Sequence, residues 1–337
     1  MTTWDYYDYR QWIKDGCNIN DQVIILYLFN CDLTELSESI GNLINLQKIN
    51  CAYNVLIKFP ETLGNLINLQ SLICYNNRLI KLPKTIGNLT NLRSLIRYNN
   101  RLIKLPKTLS NLINLQKINC ACNALIKFPE TLGNLTNLRS LICYNNRLIK
   151  LPKTIGNLTN LRSLMCTTNK LTKLPITLSN LINLQEFSCS NNKLTKLPNK
   201  LGNLINLRYL GCSCNYLINL PISLTKLIHL ERIYYDNMYS TIKQISLVLQ
   251  RFIKKINSKI HNDVYDVHNE SIQTSLLDSI NNLLSETPTK QISIMDDDIL
   301  DIKTKSILNN SIENKTVSDL LVTFEELLVY ILQKIEN

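Results

Sequence analysis

The chain has 337 residues, 45% of them apolar and 19% charged, with eight glycines, nine prolines and a formal net charge of +11. That composition excludes a disordered chain and supplies enough apolar mass for a real core. No apolar run reaches the roughly 18 residues that a membrane helix needs, so no membrane span is expected.

The N-terminus runs Met1, Thr2, Thr3, Trp4, Asp5, aromatic and acidic. A secretory signal wants a basic start and then an apolar stretch. The expectation is an intracellular, cytoplasmic protein, in the host cytoplasm if the chain is viral. The glycosylation patterns at Asn88 and Asn157 are discounted on the same ground. Residues 3–20, with Trp4, Tyr7, Trp12 and Ile13, read as an amphipathic helix within an N-terminal cap over 1–22.

From residue 23 a repeat takes over. Asparagines recur at 54, 77, 100, 123, 146, 169, 192 and 215, and prolines at 60, 83, 106, 129, 152, 175, 198 and 221, always 23 residues apart. Within one unit Leu69, Leu72, Cys74, Asn77, Leu79, Leu82 and Pro83 hold the fixed places. Nine units fill 23–229, starting at Val23, Leu46, Leu69, Leu92, Leu115, Leu138, Leu161, Leu184 and Leu207. The first is degenerate, with Cys31 for Asn and Ser37 for Pro. A tenth starts at Leu230 and breaks down at Met238. Residues 46–114 and 115–183 differ at only 11 of 69 positions, as a duplicated block of three units would.

Each fixed residue has a physical task. Leu72 and Cys74 alternate as a half-buried strand does, so both are expected to point inward. The Asn stands where the chain leaves the strand. Its amide donates and accepts, so a stack of Asn side chains can satisfy turn groups that are cut off from water. Pro cannot donate to a sheet ladder and belongs outside the strand. No unit buries its own apolar edge, so each depends on its neighbours.

Over residues 23–229 this pattern resembles the leucine-rich repeat family. The 23-residue form with Leu-Pro in its middle is similar to the intracellular class of Ras-scaffold proteins and their plant relatives. In overall style, with Asn-, Ile- and Lys-rich units before a helical tail, the chain is similar to repeat proteins of giant DNA viruses. The resemblance implies an α/β solenoid with parallel strands on a concave face, where such proteins bind partners.

Cys51, Cys74, Cys120, Cys143, Cys166, Cys189 and Cys212 all take the second inward place of the strand, as small buried hydrophobes. A reduced ladder is the simpler reading than disulfides between neighbouring strands. Cys120 with Cys122, and Cys212 with Cys214, lack a His cluster to complete a zinc site, so no metal or other cofactor is expected. Arg97 interrupts the ladder with no acidic residue nearby in sequence. It is expected to bend outward or bond to turn carbonyls.

Between the inward residues lies the outward face. Its middle offers Ile73, Tyr75 and Arg78, then Ile96, Tyr98 and Arg101, then Ile142, Tyr144 and Arg147. Aromatic, aliphatic and Arg neighbours are what a protein-binding hot spot uses. Against this, duplication copies any tolerated surface.

Residues 46–229 hold 24 lysines and arginines against three acidic residues. Lys58, Lys81, Lys104, Lys127, Lys150, Lys173 and Lys196 form one column of them, read as a solvated stripe copied with the repeat. A basic solenoid also suits an acidic protein or nucleic acid.

Residues 230–337 read as a degenerate repeat and a helical C-terminal region, partly mobile, with helices expected over 242–256, 271–284 and 316–335. That region has no Cys to serve as a ligase nucleophile. His261, Asp263, Asp266 and His268 crowd one polar stretch, read as a helix-to-helix connection and not as a metal or acid–base site. No phosphate-binding Gly-Lys loop is present. The reading is a non-catalytic protein–protein interaction module, an adaptor or scaffold with no small-molecule substrate. The alternatives are a substrate-recognition subunit of a ubiquitin-ligase or other enzyme complex, and a nucleic-acid binder.

Overall fold

The structure is a computed structural model that describes residues 2–217 and 220–235. The C-terminal helices and the His261–His268 stretch expected from sequence lie outside them.

The described residues form one open sheet of eleven parallel strands, stacked in chain order. Strand β1 is Thr2–Trp4 and β2 is Val23–Tyr27. Then come β3 (Lys48–Asn50), β4 (Ser71–Ile73), β5 (Ser94–Ile96), β6 (Lys117–Asn119), β7 (Ser140–Ile142) and β8 (Ser163–Met165). The series ends with β9 (Glu186–Ser188), β10 (Tyr209–Gly211) and β11 (Arg232–Tyr234). Register follows the repeat: Ser71 faces Ser94, Leu72 faces Leu95 and Ile73 faces Ile96. The strand series runs one unit past residue 229, because Arg232–Tyr234 pairs in register with Tyr209–Gly211.

Strands β2 to β10 each return through a short 3-10 helix such as Lys84–Asn88, mostly entered through a Pro with extended backbone, with Ser37 as the cap after β2 and Lys200 after β9. Pro83 has φ −63°, the value its ring imposes, and donates nothing where no ladder partner exists. Thr85 and its equivalents tie successive 3-10 turns together, Thr85 Oγ1 donating to the Glu61 carbonyl at 2.6 Å. A glycine lies under all but one of these threonine contacts. A Cβ on Gly64 would stand 2.5 Å from the Thr85 Cβ. Where Ser110 takes the glycine's place, the bond from Thr131 to the Lys107 carbonyl stretches to 3.4 Å.

The asparagine stack works as its chemistry suggests. Asn77 Nδ2 donates to the Cys51 carbonyl at 2.9 Å and reaches Cys74 and Tyr75 at 3.3 Å, while its Oδ1 accepts from Leu56 N at 2.9 Å. One side chain so serves a strand exit in its own unit and in the unit before.

The N-terminal elements differ from expectation. The helix α1 is short, Tyr6–Lys14, and Trp4 belongs to β1, which pairs with β2. Tyr9 and Trp12 enter the core, whereas Tyr7 is 79% exposed and Ile13 lies mostly outside. Asp5 caps the helix in a box with Asp8, and that fixes which face turns inward. Trp12 Nε1 donates to the Asn18 carbonyl at 2.9 Å.

All seven ladder cysteines are fully buried, and no disulfide joins any of the cysteines. Cys122 and Cys214 stay out of the core, because each sits at a left-handed residue (φ 53° and 54°) that breaks the strand alternation.

Arg97 overturns the sequence expectation. It does not bend outward. Its side chain is fully buried, and none of its three guanidinium nitrogens has a hydrogen-bond partner. The strand alternation holds it inward, and the carbonyls of the flanking ladder residues are already taken by the Asn stack: Asn77 and Asn100 donate to the Cys74 carbonyl at 3.3 and 3.0 Å, and Asn123 and Asn146 to the Cys120 carbonyl at 3.1 and 3.0 Å. Its neighbours are the Cys74 and Cys120 thiols, and burial lowers its affinity for its proton.

Candidate protein-binding face

The strand alternation that buries Leu72 and Cys74 turns Ile73 to the outer face of the sheet, and the chain then presents Tyr75 and Arg78 at the strand exit. Ile73, Ile96 and Ile142 end their strands half-buried. Tyr75 and Tyr98 are half-buried, Tyr144 is exposed, and Arg78, Arg101 and Arg147 are exposed.

Tyr75 and Tyr98 come together as a parallel stack, centroids 4.4 Å apart with ring planes 8° from parallel. Burial raises the Tyr98 phenol pKa above its ordinary value, and Tyr75 beside it adds to the shift. Tyr144 is not in this stack, because Ala121 holds the same column on the unit between.

Three aromatic residues extend the row and were missed by reading the repeat columns. Tyr53 packs edge-on to Tyr75 at 5.4 Å, Phe29 edge-on to Tyr53 at 5.2 Å, and Tyr27 stacks on Phe29 at 6.0 Å. Phe29 shares the Tyr75 column, so two 23-residue steps back from Tyr75 would have found it. Tyr53 stands one place further on, at the left-handed turn residue (φ 55°), and crosses over Ala52. No column pattern signals that.

Toward β10 the same face changes chemistry. Thr167 Oγ1 and Ser188 Oγ lie 2.7 Å apart, Ser213 bonds Ser190 at 3.2 Å, and Gly211 leaves room for the Ser188 hydroxyl. Small hydroxyl groups replace the rings there, and rings return at Tyr209 and Tyr234, with centroids 5.7 Å apart. Just before the strands, Arg93, Arg139, Arg162 and Arg208 are exposed along the entry side. Among the described residues the ion pair within 4.0 Å is Arg208 with Glu231, both largely exposed, so the remaining arginines and the lysine column lack a carboxylate at bonding distance.

No group of three His, Cys, Asp or Glu among the described residues is placed to hold a metal ion, and His229 is exposed. No described helix is long and apolar enough to cross a membrane.

A model of the leucine-rich repeat region matches residues 22–151. The fold is a leucine-rich repeat solenoid. Among solved structures, the internalin inlF of Listeria monocytogenes is similar at 23% identity, TM-score 0.54, over 64% of this chain and 59% of that one. The plant peptide hormone receptor RGFR1, in complex with RGF2, is similar at 27% identity, TM-score 0.52, over 64% of this chain and 40% of the receptor. The match thus spans less than two thirds of either protein. No curated protein matches the sequence. Solenoids of this kind are generally modules for protein–protein interaction.

Proposed function

We propose that this leucine-rich repeat protein is a non-catalytic adaptor or scaffold that holds a protein partner on the strand face. Its repeats are taken as 23–229, of the 23-residue intracellular class, between an N-terminal cap over 1–22 and a C-terminal region over 230–337. The observation that carries the reading is the aromatic row Tyr27, Phe29, Tyr53, Tyr75 and Tyr98, whose members each pack on the next. Rings so packed have lost most of their freedom before a partner arrives, which lowers the entropic cost of binding. Ile73, Ile96, Ile142 and Tyr144 widen the apolar surface, and Arg78, Arg101 and Arg147 offer planar donors to partner carboxylates. The plant receptor's complex with RGF2 supports partner binding by a related solenoid. Eleven cysteines with no disulfide among them support an intracellular setting.

A crosslinking pull-down with the full chain tests this. Partners held by the native chain should be lost from the variant carrying Tyr75→Ala, Tyr98→Ala and Tyr144→Ala. Ala52 and Ala121 already occupy the same column, so the fold accepts the change. An unchanged set of partners sinks the proposal. Nucleic acid is the second reading, favoured by the exposed arginines that meet no carboxylate among the described residues; it requires binding that falls steeply with salt.

A further inference from the structure

The turns carry a second patterned surface that shares only its arginines with the strand face. After Asn77 the chain runs Arg78, Leu79, Ile80, Lys81, Leu82. Leu79 and Leu82 are buried, so Ile80 is turned out between two exposed basic residues. The outward isoleucine repeats as Ile57, Ile80, Ile103, Ile126 and Ile149, which remain 44–52% exposed, with Val55 and Ala124 in place of the arginine beside Ile57 and Ile126. The backbone fixes their order. Ile80 N donates to the Ile57 carbonyl at 3.2 Å, and Ile126 and Ile149 donate to Ile103 and Ile126 at 3.3 Å. Lys58, Lys81, Lys104, Lys127 and Lys150 run along one side of this stripe, and Arg78, Arg101 and Arg147 along the other. The stripe stops at Thr172 and Thr195, which take the same column in the later units.

We propose that this isoleucine stripe, fenced by two basic columns, is a docking surface for an acidic amphipathic helix. Neighbouring strands lie about 4.8 Å apart, and a helix rises about 5.4 Å per turn. A helix lying along the stripe therefore sets about one apolar side chain on each isoleucine. Five isoleucines match about 13 helical residues on these spacings. Carboxylates on the flanks of that apolar stripe meet Lys81 and its equivalents on one side and Arg78 and its equivalents on the other. Nucleic acid fits less well, because isoleucine gives a base nothing to stack on and the rings lie on another column. A second copy of the chain would bring lysine against lysine.

The test uses the full chain and a fluorescein-labelled probe of about 14 residues built from Glu, Leu and Ala, with Leu at i, i+4, i+7 and i+11. Controls are a scrambled peptide of the same composition, an all-Glu peptide, a single-stranded oligonucleotide and anionic lipid vesicles. Anisotropy should show the striped peptide binding and the scrambled one binding at least roughly tenfold more weakly. The combined variant Ile80→Thr, Ile103→Thr, Ile126→Thr should weaken binding by a similar factor, and thermal melting checks that it is folded. Should that variant melt early, Ile103→Glu alone places a like charge under the probe and should also abolish binding. Replacing Lys81, Lys104 and Lys127 by Gln should remove most of the salt dependence. The proposal is overturned if the striped peptide does not bind, if striped, scrambled and all-Glu peptides bind alike, if the folded Thr variant binds as the native chain does, or if only the oligonucleotide or vesicles bind.

Discussion

Tyr75 and Tyr98, 23 residues apart in sequence, lie face to face with centroids 4.4 Å apart, while Tyr144 in the same column stands apart beyond Ala121. The three tyrosines are therefore not energetically equivalent. Tyr98→Ala removes a stack worth about 0.5–1.5 kcal/mol beyond its area. Tyr144→Ala removes an exposed ring and should cost about 0.5 kcal/mol or less. Thermal melts of the two single variants should separate accordingly; equal losses would show that the stack contributes nothing to stability.

Arg97 is the costliest residue in the core. Its equivalent in the duplicated block is Cys166, fully buried and free of strain from a charge. Arg97→Cys replaces an enclosed, unbonded guanidinium with the residue the ladder uses elsewhere. Trading a buried charge for a fitting apolar group is stabilising by about 1–4 kcal/mol in comparable cases. The melting temperature should rise, and a fall would mean that Arg97 is held by contacts stronger than its bare nitrogens suggest.

The thiols should divide sharply by place. Burial pushes Cys74 and Cys166 up to about 12 and raises Cys51, Cys120, Cys143 and Cys189 as well. At pH 8 the seven ladder thiols should ignore a thiol reagent until the chain unfolds. Exposed Cys214 should react first, with the half-buried Cys17, Cys31 and Cys122 following. Because the folded pKa is raised, the ladder's contribution is complete below the unfolded value near 9 and is lost as pH climbs through about 12. More than four reactive thiols in the native chain would contradict the buried ladder.

Thr168 holds a left-handed backbone conformation (φ 53°), which a β-branched residue tolerates poorly. Asn76, Asn99, Asn145 and Asn191 hold the same place in other units. Thr168→Asn should stabilise by about 1 kcal/mol. A denaturant titration showing no gain would indicate that Thr168 is compensated by its neighbours.

Asn146 binds the Cys120, Cys143 and Tyr144 carbonyls and accepts from Leu125 N. Asn146→Ala leaves these buried groups without their partner and should cost about 1–3 kcal/mol. Asn99, exposed at the equivalent of Asn145 two units earlier, donates to the Asn76 side chain at 2.6 Å and to no buried carbonyl, so Asn99→Ala should stay within about 1 kcal/mol in the same melt.

The sequence by itself determined the 23-residue step, the inward leucines and cysteines, the turn asparagines and the outward Ile, Tyr and Arg columns. Those follow from a strict period, since every unit meets its neighbours in one register and a column in sequence becomes a row in space. Only the tertiary structure decided what breaks the period. Trp4 left the expected helix for a strand, because β2 offered an open edge. Arg97 stayed inside, because strand alternation outweighed its charge and the Asn stack had taken the flanking carbonyls. Tyr53 joined the aromatic row from a left-handed turn residue that belongs to no outward column. Each of these rests on contacts between units, and a period describes one unit at a time.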